Sequence, residues 1–356
     1  MSKLYADNKI FHFSDKLGDI AAGRVTAPVH VRLKPTNRCQ HKCHYCCYRN
    51  SHLFLNERFN EADEIPTDKM REITADLVST GVRAVTLSGG GEPLCYPGIE
   101  ETIRVLTDGG VKLAVLTNGG LLKDDIAGLL AGRATWVRVS MDAADAESYA
   151  RTRSVPVGEF GEVCDNIRAF TGMAGRKSVL GINFIITKDN SGDVLSFLEM
   201  AKGLGVDHVK VSNAIVSTEP SENTDYMAGF FDDVKRQIRE ADERLTDDTF
   251  AVIDKFHSDA ESLVRDYDCC PMAQFLTVIA ADQNLYTCQD KAYTTSGLLG
   301  SIKDSSFAGL WGSDALQARL KELNPSKECR HHCVAHGKNL SLHSYLEADQ
   351  EHLDFV

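Results

Sequence analysis

Short apolar runs, many of them β-branched, recur between Val29 and Ser212. They are VHVRLK from Val29, AVTLS from Ala84, KLAVLTN from Lys112, WVRVSMD from Trp136, VLGINFIIT from Val179 and HVKVS from His208. The segments between them carry apolar residues at helical spacing: Thr67 to Ser79, Gly98 to Thr107, Lys123 to Leu130, Phe160 to Phe170 and Gly192 to Leu204. Strands alternating with amphipathic helices predict six βα units and a parallel sheet, an α/β fold. Several strands close on polar residues, namely Thr36, Ser88, Thr117 with Asn118, Ser140 with Asp142, and Ser212 with Asn213. In a parallel barrel the ligand site forms at the C-terminal strand ends, so these residues are expected to ring one mouth.

After Ser212 a polar, acidic stretch with no strand pattern runs to about Tyr267 and reads as outer helix and connector. From Cys269 the chain changes to short strands, LTVIAAD and LYTCQD, then a helix from Asp314 to Leu323 and the pair Cys329 and Cys333. These shifts divide the chain into an N-terminal extension (1–28), a βα region (29–242), a connector (243–268), a cysteine-bearing α+β unit (269–339) and a tail (340–356). A length of 356 residues, at about 150 per domain, agrees with two folded units.

Charge narrows the partners. Lys and Arg total 39 against 51 Asp and Glu, a formal charge of -12, so there is no basic footprint for nucleic acid or an anionic membrane surface. No apolar run approaches the roughly 20 residues of a membrane span, and the opening lacks a secretory layout, so the expected location is the cytoplasm. Eleven cysteines in a reducing compartment point to metal or redox chemistry rather than disulfides.

Directly after the first strand, PTNRCQHKCHYCCYRN sets Cys39, Cys43 and Cys46 at C-x3-C-x2-C. Three thiolates can wrap a 4Fe-4S cubane and leave its fourth iron open to a small molecule. A zinc knuckle is the alternative, with His41, His44 or Cys47 as the fourth ligand. The motif, with Tyr45 before the third cysteine, resembles the defining motif of the radical S-adenosylmethionine (SAM) enzymes. That resemblance implies an incomplete (β/α)6 TIM-like barrel, a SAM-binding 4Fe-4S cluster on Cys39, Cys43 and Cys46, and Tyr45 beside the adenine.

The likeness continues in Ser88-Gly89-Gly90-Gly91-Glu92-Pro93, similar to the glycine-rich segment that binds the amino group of the methionine moiety. Glycines let backbone approach a ligand closely, and Glu92 offers an acceptor to an ammonium. Thr117 and Asn118 end the third strand as in many members, Ser140 and Asp142 stand where ribose or carboxylate contacts are common, and Ser212 and Asn213 are placed on the adenine side. Arg151 or Arg153, with Arg153 preferred, is implied as the partner of the cofactor carboxylate.

Cys270, Cys288, Cys329 and Cys333 resemble the ligand set of the Twitch module, a shortened relative of SPASM that holds an auxiliary cluster. The last pair is C-x3-C where such modules often have C-x2-C. A four-thiolate zinc site is the alternative, and His331, His332 and His336 are further candidate ligands. Either Cys269 or Cys270 can be the first ligand. A spare Cys269 would point into the cavity as a catalytic hydrogen-atom donor. Cys47, Cys95 and Cys164 read as packing residues.

The resemblance implies reductive cleavage of SAM to a 5′-deoxyadenosyl radical, which abstracts hydrogen from a substrate C–H bond. An external one-electron reductant such as flavodoxin or ferredoxin is the implied partner. The segment before Cys39 is short for a peptide-recognition domain, which favours a small polar substrate, sugar or aminocyclitol-like, undergoing epimerisation or dehydrogenation in a biosynthetic pathway. A maturase acting on a ribosomally made peptide is the alternative, and a non-catalytic zinc protein is the alternative of another class.

Overall fold

The computed structural model describes residues 5–49, 53, 56–257, 265–329, 332–352 and 354. Helix α1 (Ser14–Ala21) precedes β1 (His30–Leu33), α2 (Thr67–Ser79), β2 (Ala84–Leu87), α3 (Ile99–Asp108), β3 (Lys112–Thr117), α4 (Asp124–Arg133) and β4 (Trp136–Ser140). Then come α5 (Ala146–Arg153), α6 (Glu159–Thr171), β5 (Val179–Ile186), α7 (Val194–Gly203), β6 (His208–Asn213), α8 (Pro220–Ala228), α9 (Phe231–Leu245) and β7 (Ala251–Lys255). Each strand from β1 to β7 pairs in parallel with the next, the arrangement of a partial TIM-like barrel.

The period-2 pattern explains how the sheet is covered. Val31 and Leu33, Val137 and Val139, Leu180, Ile182 and Phe184, and Val209 and Val211 turn outward and are fully buried under the helices. Each such burial contributes about 1.5–3 kcal/mol. The Phe184 ring stacks on Phe197 of α7 with centroids 3.8 Å apart. The intervening residues, among them His30, Arg32, Thr86, Arg138, Asn183, His208 and Lys210, belong to the other face, which lines the lumen. Tyr5 closes the N-terminal end of that lumen, accepting from Arg138 Nη2 at 2.6 Å and pairing with His208 Nε2 at 2.8 Å.

One expectation is corrected. The stretch to Tyr267 contains a seventh strand, β7, because AVIDK gains its backbone partners from β6 rather than from any strong pattern of its own. The C-terminal segment adds to the same sheet. Its helix α10 (Met272–Phe275) leads into β8 (Leu276–Ile279), which pairs in parallel with β1, and β9 (Asn284–Tyr286) and β10 (Leu298–Ser301) follow antiparallel. One ten-stranded sheet results, in the order β10-β9-β8-β1-β2-β3-β4-β5-β6-β7.

After β10 come α11 (Phe307–Trp311), α12 (Asp314–Glu322), α13 (Pro325–Glu328) and α14 (His336–Leu346). The last of these crosses the tail boundary drawn at residue 340. Leu342 of α14 packs with Ile10 and Leu17 of the N-terminal extension and with Met272 and Phe275, so both chain ends share a small second core. Among the described residues no helix is long and apolar enough to cross a membrane.

Candidate functional site

The loop after β1 carries the three cysteines to the C-terminal side of the sheet and is held there from two sides. Lys42 N donates to Arg153 O at 3.0 Å and His44 N to Thr152 O at 3.3 Å, tying the cysteine segment to the end of α5. Gly91 N donates to Thr36 O at 3.2 Å and Glu92 N to Arg38 O at 2.9 Å, stitching the glycine-rich segment to the same loop. A Cβ on Gly91 would collide with the Arg38 carbonyl, and one on Gly90 with the Asn37 side chain. The glycines therefore admit the cysteine loop, in addition to any ligand they were expected to approach.

Glu92 is buried, and burial pushes its carboxyl up to about 7 against the donors that hold it. Those donors are Asn118 N at 2.7 Å, Thr117 Oγ1 at 2.7 Å and Leu94 N at 3.1 Å. The carboxylate thus fastens the end of β3 to the glycine-rich turn. Asn118 directs its amide to Cys39 Sγ at 3.9 Å and accepts from Gln40 Nε2 at 3.1 Å.

On the opposite side, Arg153 Nη2 donates to Asp142 Oδ2 at 2.5 Å and Nη1 lies 3.5 Å from Cys43 Sγ. Tyr45 OH donates to the same carboxylate oxygen, and Ile185 N to the other at 2.8 Å. Burial raises the Tyr45 hydroxyl well above its ordinary range. It also raises the thiols of Cys39, to about 11, and Cys43, the latter opposed by the Arg153 charge.

These groups surround a cavity of about 430 Å³. Cys39, Cys43, Cys46, Tyr45, Gly89, Gly90, Gly91, Glu92, Thr117, Asn118, Ser140, Arg153 and Asn213 all line it. Asp142 and Ser212 do not. Asp142 is turned into the protein as the brace for Tyr45 and Arg153, and Ser212 precedes the residue that reaches the wall. Arg151 also points away, bonding Ser148 Oγ at 3.1 Å.

The alternation of β1 was a missed signal. It sends Arg32 to the cavity wall and buries Lys34, which donates to Tyr48 OH at 2.7 Å and Gly89 O at 3.1 Å. Burial brings the Lys34 ammonium down to about 7. Gln289, Asp290 and His332 complete the wall from the C-terminal segment, through a pairing of β8 with β1 that no local pattern announces.

The donor set fits the group that the cysteine motif implies. Cys39, Cys43 and Cys46, with Cys47, face one cavity, and buried donors there, Ser88 Oγ, Arg153 Nε and Arg32 Nε, have no hydrogen-bond partner among the described residues. Such orphans are costly unless a ligand meets them.

A sequence model of the radical SAM superfamily matches residues 33–222. The chain belongs to this superfamily. Membership of this superfamily implies a 4Fe-4S cluster and SAM. Among curated relatives, an AdoMet-dependent heme synthase of Methanosarcina barkeri is 34% identical over 149 residues, 40% of each chain. A probable GTP 3',8-cyclase of Methanocaldococcus jannaschii is 28% identical over 180 residues, 49% of this chain and 55% of that protein. The chain thus spans about half or less of the length of these relatives.

Among solved structures, Streptococcus suis SuiB bound to precursor peptide SuiA covers 91% of this chain and 76% of its own, with TM-score 0.63 and 15% identity. Native anSMEcpe with bound AdoMet covers 89% and 96%, with TM-score 0.59 and 16% identity. At these identities the likeness shows a shared radical SAM fold.

The second cysteine set gathers beside the cavity. Cys288, just after β9, has its thiol raised well above the ordinary range by burial, then by Asp290, Cys333, Cys270 and Cys329. Burial pushes Cys270 up to about 11 and Cys333 up to about 12. Cys269 is a correction. It does not line the cavity, and its thiol faces His343 Nε2 of α14 at 3.9 Å because adjacent residues point to different sides. Of the spare thiols, Cys47 lines the cavity, Cys95 bonds Gln40 Oε1 at 3.3 Å, and Cys164 is buried in the core. Among the described residues no three His, Cys, Asp or Glu side chains stand at single-ion spacing. His336 pairs with Tyr267 at 3.1 Å, and His331 lies outside the described residues.

Proposed function

We propose that this protein is a radical SAM oxidoreductase that dehydrogenates a small polar substrate and holds a second, auxiliary 4Fe-4S cluster on Cys270, Cys288, Cys329 and Cys333. The observation that carries this reading is one cavity bounded on one side by Cys39, Cys43 and Cys46 and on the other by Gln289 and Asp290, next to Cys288. In this family the cluster and SAM together supply a 5′-deoxyadenosyl radical that takes a hydrogen atom from a substrate C–H bond. The chain's own residues do the rest. Asn118 and Arg153 orient the thiols of Cys39 and Cys43, while Ser88 Oγ and Arg153 Nε would donate to the SAM methionine moiety and Tyr45 would stand beside its adenine.

Conversion of an alcohol or amine carbon to a carbonyl or imine then requires the substrate radical to lose one electron and one proton. A cluster held by the second cysteine set would supply the electron acceptor, and Asp290, whose carboxylate lines the cavity, would take the proton. Epimerisation needs a thiol in the cavity instead, and that reading is supported by Cys47, which lines the cavity where Cys269 does not. A peptide side chain is the alternative substrate, since the structural neighbour SuiB is bound to a precursor peptide. Eleven free cysteines favour a reducing, cytoplasmic setting with an external reductant such as flavodoxin or ferredoxin.

The test is iron and sulfide content after anaerobic reconstitution, with 5′-deoxyadenosine release measured on the same samples. About eight irons per chain falling to about four in the Cys39→Ala, Cys43→Ala, Cys46→Ala variant supports two cubanes. About four falling to none removes the electron acceptor and the dehydrogenase reading. Deuterium uptake from heavy water without a change of oxidation state would point to epimerisation.

A further inference from the structure

The lumen of the sheet has an unusual charge pattern. Inward positions of β1 to β6 include Arg32, Arg138 and Lys210, with Lys34 one step beyond β1 and the imidazoles of His30 and His208, kept neutral by burial, between them, and they include no Asp or Glu. In a chain of net charge -12 this is a concentrated basic patch. Gly181 leaves room for it, because a Cβ there would run into the His208 ring.

Arg32 sits where this patch meets the cavity wall. No hydrogen bond or ion pair among the described residues engages its guanidinium, and its Nε is buried without a partner. Burial lowers its proton affinity, opposed by the charges of Asp290, Tyr48 and Cys288. Arg138 lies behind it, bonded to the neutral Tyr5 hydroxyl, and is disfavoured by burial and then by Arg32 itself. Two guanidinium groups that repel each other in a low-dielectric lumen are stabilised by an incoming anion.

We propose that the lumen floor is an anion-binding subsite in which Arg32 grips a carboxylate or phosphate group of the substrate, with Arg138 behind it. The planar guanidinium offers the paired donors that both groups accept. The substrate of this cavity is accordingly an organic anion, inserted with its charged end toward β1 and β4 and its reacting carbon toward the cysteine loop. This deepens the radical SAM reading of the cavity and rests on it.

The experiment is isothermal titration of the anaerobically reconstituted full-length protein, SAM present, with succinate and separately with pyrophosphate. The expected result is saturable binding of one of them, weakened at least about tenfold by Arg32→Gln; the arm that binds tells carboxylate from phosphate. No saturable binding in either arm, as when Arg32 only balances the charge of the neighbouring cysteines, overturns the proposal, and so does equal affinity in the variant. A second measurement needs no variant: phenylglyoxal labelling of Arg32, mapped by peptide mass, is suppressed by the anion that binds. Labelling indifferent to the anion overturns it as well. Release of 5′-deoxyadenosine by the unmodified preparation is scored separately, so failure of the SAM reading is distinguishable from failure of the anion site.

Discussion

Asp142 and Arg153 form a buried ion pair at 2.5 Å whose arginine also stands 3.5 Å from Cys43 Sγ. The carboxylate simultaneously holds Tyr45, so one pair sets both the residue expected at the adenine and the field at the Cys43 thiol. Asp142→Asn leaves the guanidinium buried without its counter-charge. The expected loss is about 3–5 kcal/mol of stability, read by urea denaturation, with weaker SAM binding; an unchanged midpoint and affinity would show that the pair braces nothing.

Glu92→Gln keeps the shape but turns one acceptor into a donor, facing Asn118 N or the Thr117 hydroxyl. A buried donor left opposite a donor costs about 1–3 kcal/mol. The same denaturation experiment measures it, and a neutral result would mean that the turn has another anchor.

Gly91→Ala tests the close approach of the two loops. Its Cβ would meet the Arg38 carbonyl, which is backbone and cannot swing aside. Overpacking of this kind costs about 1–3 kcal/mol. The displaced cysteine loop should lose iron from the first site, as resolved by iron analysis on a background lacking the second set; unchanged iron there would show that the loop tolerates the added methyl.

The two adjacent cysteines make opposite predictions. Cys270→Ala should remove the auxiliary cluster, about half of the iron, whereas Cys269→Ala, with its thiol against His343, should keep both the iron and 5′-deoxyadenosine release. Iron loss in the Cys269 variant with retention in the Cys270 variant would reverse the ligand assignment.

Stability should fall in mild acid because of His208. Burial, then the Arg138 charge, lowers its imidazole from 6.5 to about 4. Below pH 6.5 the unfolded chain takes up a proton that the native protein refuses until about pH 4. The contribution is thus fully present above 6.5 and is lost at up to about 1.4 kcal/mol per pH unit across that window. His208→Gln should flatten this part of the stability profile, measured by denaturant midpoints at a series of pH values.

Much of the site is legible because it is local in the chain. Cys39, Cys43 and Cys46 fall within one loop, Gly89 to Glu92 within one turn, and Thr117, Asn118 and Ser140 each end a strand whose alternation is plain. Asp142 shows the limit of that reading. It lies two residues past β4, but its orientation follows from Arg153, Tyr45 and Ile185 N, which arrive from other elements.

The amino-acid pattern by itself determined the six βα repeats, the cysteine motif and the family, because strand periodicity and motif spacing are properties of consecutive residues. Tertiary structure alone decided that β8 docks on β1, that β7 extends the other edge, and that Cys270 rather than Cys269 faces the second cysteine set. It also decided that Arg32, Arg138 and His208, remote in sequence, share one lumen. The reason is physical: strand partners are chosen by backbone hydrogen bonds and burial across long chain separations, and neither leaves a mark on the neighbouring residues.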